Sequence, residues 1–163
     1  MGSGKSSVGR LLAGRLGFRF VDTDALVVKE AGMPITEIFA RQGEPAFRDR
    51  ESAALESLLG RKGLVVATGG GIVIRPENIK RLHQLGFTVA LTAEEDTIFE
   101  RVSRSPRRPL LQTPNPRETI AALLAQRRPL YAEASQFSVD TTAMTHAEVA
   151  ETILQEAYRR FPA

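Results

Sequence analysis

No cysteine and no tryptophan occurs among the 163 residues, and aromatic side chains make up only 6% of them. The lack of cysteine excludes a disulfide framework and thiolate metal sites. No apolar run approaches the ~20 residues that a membrane-spanning helix needs. The first residues also lack the apolar stretch and cleavage pattern of a secretory leader. Basic residues are scattered rather than interleaved with stacking aromatics, which argues against nucleic acid despite a net charge of +3. These absences predict a cytoplasmic protein with no membrane or nucleic-acid partner, and a monomer is the simplest expectation.

What is present is ordinary in bulk: 42% hydrophobic and 25% charged residues, enough for one domain spanning 1–163 with a real core. Of the 22 basic residues, 18 are arginine, the side chain suited to gripping phosphates and carboxylates with two parallel hydrogen bonds.

The chain begins Gly2-Ser3-Gly4-Lys5-Ser6 after Met1, and runs into helical spacing at Val8, Leu11, Leu12 and Leu16. Glycines here let bare backbone N–H groups curl around phosphate oxygens at a helix N-terminus. Lys5 would reach the terminal phosphates of a nucleoside triphosphate, and the Ser6 hydroxyl would ligate Mg2+. The full G-x-x-x-x-G-K-[ST] motif calls for one more glycine two places before Met1, preceded by a buried strand. That strand would be central, and its neighbours would leave buried N–H and C=O groups unmatched at roughly 1–3 kcal/mol each. The sequence thus reads as N-terminally truncated, with the natural start expected about ten residues earlier.

Short apolar runs alternate with helical patterns. Strands are predicted at 18–21, 64–67, 87–91 and 137–139, and helices at 5–16, 25–31, 34–42, 47–60, 76–84, 95–103, 116–132 and 145–160. This alternation predicts an α/β fold, a parallel sheet covered by helices on both faces, with the absent leading strand making five. Residues 103–116 hold four prolines and several arginines, the composition of a lid.

Four clusters carry chemistry. Asp22 and Asp24 follow the first strand, at the carboxyl edge where such sheets bind ligands. One could hold a metal through water and the other accept a hydroxyl proton, or one could simply cap the next helix. Arg48 and Glu51 are three apart on a helix, so Glu51 can orient a guanidinium clamp for a carboxylate, although taken alone such spacing is more often a solvated pair. Gly69, Gly70 and Gly71 follow a strand, where three glycines suggest close approach of a ligand to the backbone, with a flexible connector as the alternative. Arg107-Arg108-Pro109 and Arg127-Arg128-Pro129 offer arginines to close over transferring phosphate. Phe39 and Phe47 could be plain core, and neither His83 nor His146 has a partner at metal spacing.

In this order, G-S-G-K-S, F-V-D-T-D, G-E-P-A-F-R-D-R-E, A-T-G-G-G, R-P-L-L and R-R-P-L-Y resemble the motifs of the shikimate kinase family. The resemblance runs from Met1 to about Thr141 and implies a nucleoside-monophosphate-kinase-like P-loop fold. It implies transfer of the ATP γ-phosphoryl group to the 3-hydroxyl of shikimate, with Mg2+ as cofactor. By the same resemblance Gly2, Ser3, Gly4, Lys5, Ser6 and Ser7 would bind ATP, and Ser7 stands where the family usually has threonine. Arg101 would stack on adenine, and Arg108 would reach the phosphates from the lid. Ser6 and Asp22 would hold the metal, and Asp24 would bind the shikimate hydroxyls as candidate base. Arg48, oriented by Glu51, and Arg127 would clamp the carboxylate. Gly69, Gly70 and Gly71 would offer N–H groups to the ring, which Phe39 and Phe47 would line. A gluconate-type kinase and a non-catalytic ligand-sensing module are the alternatives. The paired aspartates, the triple glycine and the Arg48–Glu51 pair favour shikimate over the former.

Overall fold

The computed structural model describes residues 2–104 and 113–162. Helix α1 (Lys5–Leu16) leads into β1 (Arg19–Asp22), α2 (Thr23–Ala31) and α3 (Ile35–Glu56). Strand β2 (Leu64–Ala67) then gives way to a 3-10 turn (Ile72–Ile74) and α4 (Pro76–Leu85). After β3 (Val89–Thr92) come α5 (Glu95–Ser103), α6 (Pro116–Ala134), β4 (Phe137–Asp140) and α7 (His146–Arg160). The predicted lid lies mostly in 105–112, outside the described residues, as does its Arg108.

All four predicted strands form, 64–67 with the predicted bounds and the other three shifted or extended by a residue or two. The two helices predicted at 34–42 and 47–60 form one kinked element, α3, that ends at Glu56. The kink is Gly43, whose backbone (φ 83, ψ 170) is closed to most L side chains, with Pro45 just beyond it. The 3-10 turn after the triple glycine was not anticipated, because three apolar residues after a glycine run carry no period to read.

The strands do not make the single sheet that the alternation predicts. Strand β1 pairs with β2 in parallel, Val21 opposite Val66, and β3 pairs with β4 in parallel, Leu91 opposite Val139. Among the described residues no strand joins the two pairs.

Helices cover both faces. On one, Val8 and Leu12 of α1 pack with Val149, Ile153 and Leu154 of α7 and with Val139 of β4. On the other, Leu55, Ile72, Val73, Ile79, Leu82 and Ala134 form a second cluster. Val27, Ile38 and Phe47 make a third between α2 and α3. A capping box fixes the first turn of α7: the Glu148 N–H donates to Thr145 Oγ1 (3.3 Å), and the Thr145 N–H donates to Glu148 Oε2 (2.7 Å).

Gly9 lets α1 lie against β1, because a Cβ there would come within 2.6 Å of Phe20 Cε2. Alanine would gain about 0.5–1 kcal/mol in the helix interior, but overpacking costs about 1–3 kcal/mol. The expected result for Gly9→Ala is a net loss near 1 kcal/mol, a melting temperature about 2–4 °C lower. An unchanged or raised melting temperature would show that Phe20 swings aside freely.

Candidate active site

Gly4 sits in the left-handed region (φ 84) and precedes α1 with no side chain capping the helix. The first N–H groups of α1 are therefore left to a ligand, and the helix dipole favours an anion there. They open on a cavity of about 210 Å³ lined by residues 2–7, Asp22, Asp24 and 68–70. Lys5 lines it too, with Nζ 3.4 Å from Ser3 Oγ. No larger residue fits in place of Gly4, since a Cβ would lie 2.9 Å from Nε2 of His146. Sequence reasoning gave His146 no role, yet the capped start of α7 sets it against the phosphate loop.

The two aspartates divide their work. Asp22 caps α2, its Oδ1 accepting from the N–H groups of Asp24 (2.9 Å) and Ala25 (3.4 Å). Its Oδ2 accepts from the Ser6 hydroxyl at 3.0 Å. The capping reading thus holds for Asp22, and its second oxygen lies beside Ser6. Asp24 is not at a strand end, as predicted, but in the first turn of α2. That turn carries its carboxylate to the wall of the phosphate cavity.

Beyond Asp24 lies a buried charge cluster. Arg48, only 7% exposed, donates through Nη1 to Glu51 Oε2 at 2.5 Å. Glu44 Oε1 accepts from Nη2 (2.9 Å) and Nε (3.2 Å), so a second carboxylate holds the fork from its other side. Sequence reasoning missed Glu44, although its i,i+4 spacing to Arg48 was a readable signal. Burial raises the pKa of Glu51, helped by the nearby Asp24 charge and opposed by Arg48 and Arg127. Burial works against the Arg48 charge, but Glu51 and Glu44 outweigh it and the guanidinium stays ionised.

Arg127 is 5% exposed, and its Nε has no hydrogen-bond partner among the described residues. An unsatisfied guanidinium N–H in a buried place is suited to an anionic ligand. Tyr131, also missed, donates its hydroxyl to the Gly70 carbonyl at 2.7 Å and so fixes the glycine strip. At Gly69 and Gly71 that strip admits nothing larger. A Cβ on Gly69 would meet Glu51 Oε1 at 2.7 Å and Asp24 Oδ1 at 3.0 Å, and one on Gly71 would strike the Arg48 guanidinium. Phe39 and Phe47 face each other with centroids 4.9 Å apart, and Arg48 lies 5.2 Å from the Phe47 ring.

Arg101 lies at the rim of the phosphate loop, where its guanidinium donates to two backbone carbonyls and one hydroxyl. It reaches the carbonyl of Gly2 (3.3 Å) and both the hydroxyl (3.1 Å) and carbonyl (2.9 Å) of Thr141. Among the described residues no group of three or more metal-ligating side chains occurs, and no helix is long and apolar enough to cross a membrane.

A family model described as shikimate kinase matches residues 1–158. The chain is 49% identical over 159 residues to a shikimate kinase of Thermodesulfovibrio yellowstonii, covering 98% of this chain and 91% of that one. It is 48% identical over 153 residues to a shikimate kinase of Geobacter sulfurreducens, covering 94% and 84%. Among solved structures, shikimate kinase from Acinetobacter baumannii in complex with shikimate superposes with a TM-score of 0.96 at 38% identity, covering 100% and 91%. The Aquifex aeolicus shikimate kinase superposes with a TM-score of 0.85 at 32% identity, covering 100% and 95%.

Proposed function

The chain belongs to the shikimate kinase family, and from that premise we propose which of its residues perform the ATP-dependent phosphorylation of the shikimate 3-hydroxyl. The N–H groups of the loop at residues 2–7 take the ATP phosphates, and Lys5 offsets charge on the transferring group. Ser6 and Asp22 fit Mg2+, because two hard oxygen donors 3.0 Å apart suit an ion that keeps most of its water. When bound, the ion neutralises charge on the β- and γ-phosphate oxygens.

Arg48 and Arg127 receive the shikimate carboxylate, and Phe39 and Phe47 line the ring. Asp24 holds the reacting hydroxyl and accepts its proton as the oxygen bonds to the γ-phosphorus. The bond from that phosphorus to the bridging oxygen breaks, ADP departs, and Asp24 returns the proton to solvent. The protein's part is orientation and charge, the two things phosphoryl transfer needs most.

The single observation that supports this division is the place of Asp24. It lines the phosphate cavity with Lys5, yet Gly69 lies against both its carboxylate and that of Glu51. One side chain therefore borders both the phosphate cradle and the arginine clamp. Following ADP release with shikimate, and separately with gluconate, tests the reading. Turnover with shikimate alone is expected. Turnover only with gluconate would refute the substrate, and tight binding of shikimate and ATP without turnover would favour a sensing module.

The raised pKa of Glu51 gives a pH signature. Above that pKa the carboxylate is ionised and holds Arg48 in place; below it the proton removes the strongest partner of the fork. As pH falls, KM for shikimate should rise in the mildly acidic range, above the ordinary glutamate pKa of about 4.3. Glu51→Gln should give a high KM that no longer changes there. A wild-type KM that is flat down to the ordinary carboxylate range would show that Glu51 does not govern Arg48.

A further inference from the structure

An arginine holds a carboxylate best along one edge of the guanidinium, where two parallel N–H groups meet its oxygens. Arg48 has two such edges, Nη1–Nη2 at the tip and Nε–Nη2 along the side. The tip is crowded. Glu51 Oε2 accepts from Nη1 at 2.5 Å, and a Cβ on Gly71 would come within 2.3 Å of Nη1 and 2.6 Å of Nη2. The side edge is held by a single oxygen, since Glu44 Oε1 accepts from both Nε (3.2 Å) and Nη2 (2.9 Å). A carboxylate of the chain itself thus sits on the less crowded edge of the clamp.

The two acidic partners of Arg48 are unlike. The Glu51 side chain is 1% exposed, whereas that of Glu44 is 45% exposed and can turn into water. Glu51 also does more than Glu44 to offset the burial of the Arg48 charge. Glu44 directly follows Gly43, where α3 leaves helical geometry, and Glu51 lies two turns further into the helix. Releasing Glu44 therefore costs about as little as parting a surface ion pair, while releasing Glu51 would strand a buried charge. Charge points the same way. Asp24, Arg48 and Arg127 all act on Glu51, so with Glu44 two arginines face three carboxylates. A ligand carboxylate would make a fourth, and the repulsion is relieved if Glu44 leaves as it arrives.

We propose that Glu44 is a stand-in for the substrate carboxylate: it holds the Nε–Nη2 edge of Arg48 and yields that edge, turning to solvent, when a carboxylate ligand binds. The inference rests on the assignment of Arg48 to the shikimate carboxylate and adds a residue that sets how tightly an acid is held. Apparent affinity is reduced by the fraction of molecules in which the edge is closed. A neutral ligand has no charge with which to displace Glu44, so the competition selects for carboxylates. The exchange also keeps the buried guanidinium paired at every stage, which spares it the cost of an uncompensated charge.

Calorimetric Kd and steady-state KM for shikimate test it on the wild type, Glu44→Gln and Asp49→Asn. Glutamine leaves an oxygen for the fork but removes the charge, so Glu44→Gln should tighten shikimate by about two- to fivefold, the range that an exposed ion pair spans. The change should appear in KM for shikimate and not in KM for ATP. Asp49 is an exposed carboxylate of the same helix that pairs with Arg75 instead of Arg48, and Asp49→Asn should leave shikimate binding as it is. Equal tightening in both variants would reduce the effect to general charge and overturn the proposal. Weaker or unchanged binding in Glu44→Gln would overturn it too, leaving Glu44 as a brace for Arg48. In crystals of the wild type with shikimate, the ligand carboxylate should lie within hydrogen-bond distance of Nε and Nη2, with Glu44 in solvent. Glu44 still on both nitrogens there would refute the exchange. Failure of the substrate reading looks different: the wild type itself would not bind shikimate, and this inference would fall with it.

Discussion

Asp24→Asn should lower turnover by about a thousandfold while ATP affinity changes by no more than a few-fold, the range expected when a positioned general base is lost. Asparagine keeps the shape, so α2 and its cap persist: the helix is capped by Asp22 through the backbone N–H groups of Asp24 and Ala25, not by the Asp24 side chain. The phosphate cradle is made of loop amides, Lys5 and Ser6, none of which the change removes. Shikimate affinity should fall only modestly, since asparagine keeps an oxygen that can accept from the hydroxyl and the arginine clamp is untouched. Turnover is measured by coupled ADP release and ATP affinity by equilibrium binding. A variant with near-normal turnover would mean that Asp24 only positions the substrate, or that the proton leaves by another route. Parallel loss of ATP affinity would place Asp24 in the phosphate site instead.

The sequence was most informative where a residue's chemistry is local. The glycines and lysine of the loop, the apolar strands and the Arg48–Glu51 spacing all depend on neighbours within a turn, and all appear where the pattern put them. Asp24 was placed one element too early, because Asp-x-Asp reads alike at a strand end and at a capped helix start. Glu44 was passed over for a related reason: Gly43 and Pro45 beside it look like a break, whereas the chain kinks and resumes, leaving Glu44 one turn before Arg48. Tyr131 and His146 act across long sequence separations, on Gly70 and Gly4, and no local pattern announces such a contact. Arg101 was read as an adenine contact by resemblance, and its hydrogen bonds to Gly2 and Thr141 come only from three segments meeting in space. The pairing of β1 with β2 and of β3 with β4 joins residues far apart in the sequence, and no local pattern announces which strands become neighbours.

Gly71→Ala should raise KM for shikimate by about ten- to a hundredfold with little change in KM for ATP, the size expected when hydrogen bonds to a charged group are lost. Backbone strain is not the cause, since Gly71 has φ −90 and ψ 0, a conformation open to alanine. The cause is space. An added Cβ would lie 2.6 Å from Nη2 and 2.7 Å from Cζ of Arg48, with Nη1 nearer still. Arginine ends usually yield to such pressure, but this one is held by Glu51 on one side, Glu44 on another and the Phe47 ring nearby. The methyl group must therefore either turn the fork away from the substrate or push the glycine strip off Tyr131. Gly14→Ala is the control, because its Cβ would meet nothing within 4 Å and alanine there should be neutral or mildly stabilising. Adding Glu44→Gln to Gly71→Ala should recover part of the affinity, since a fork gripped less tightly can give way to the methyl and still reach the carboxylate. Unchanged shikimate affinity in Gly71→Ala would separate Arg48 from the carboxylate altogether and leave Arg127 as its partner.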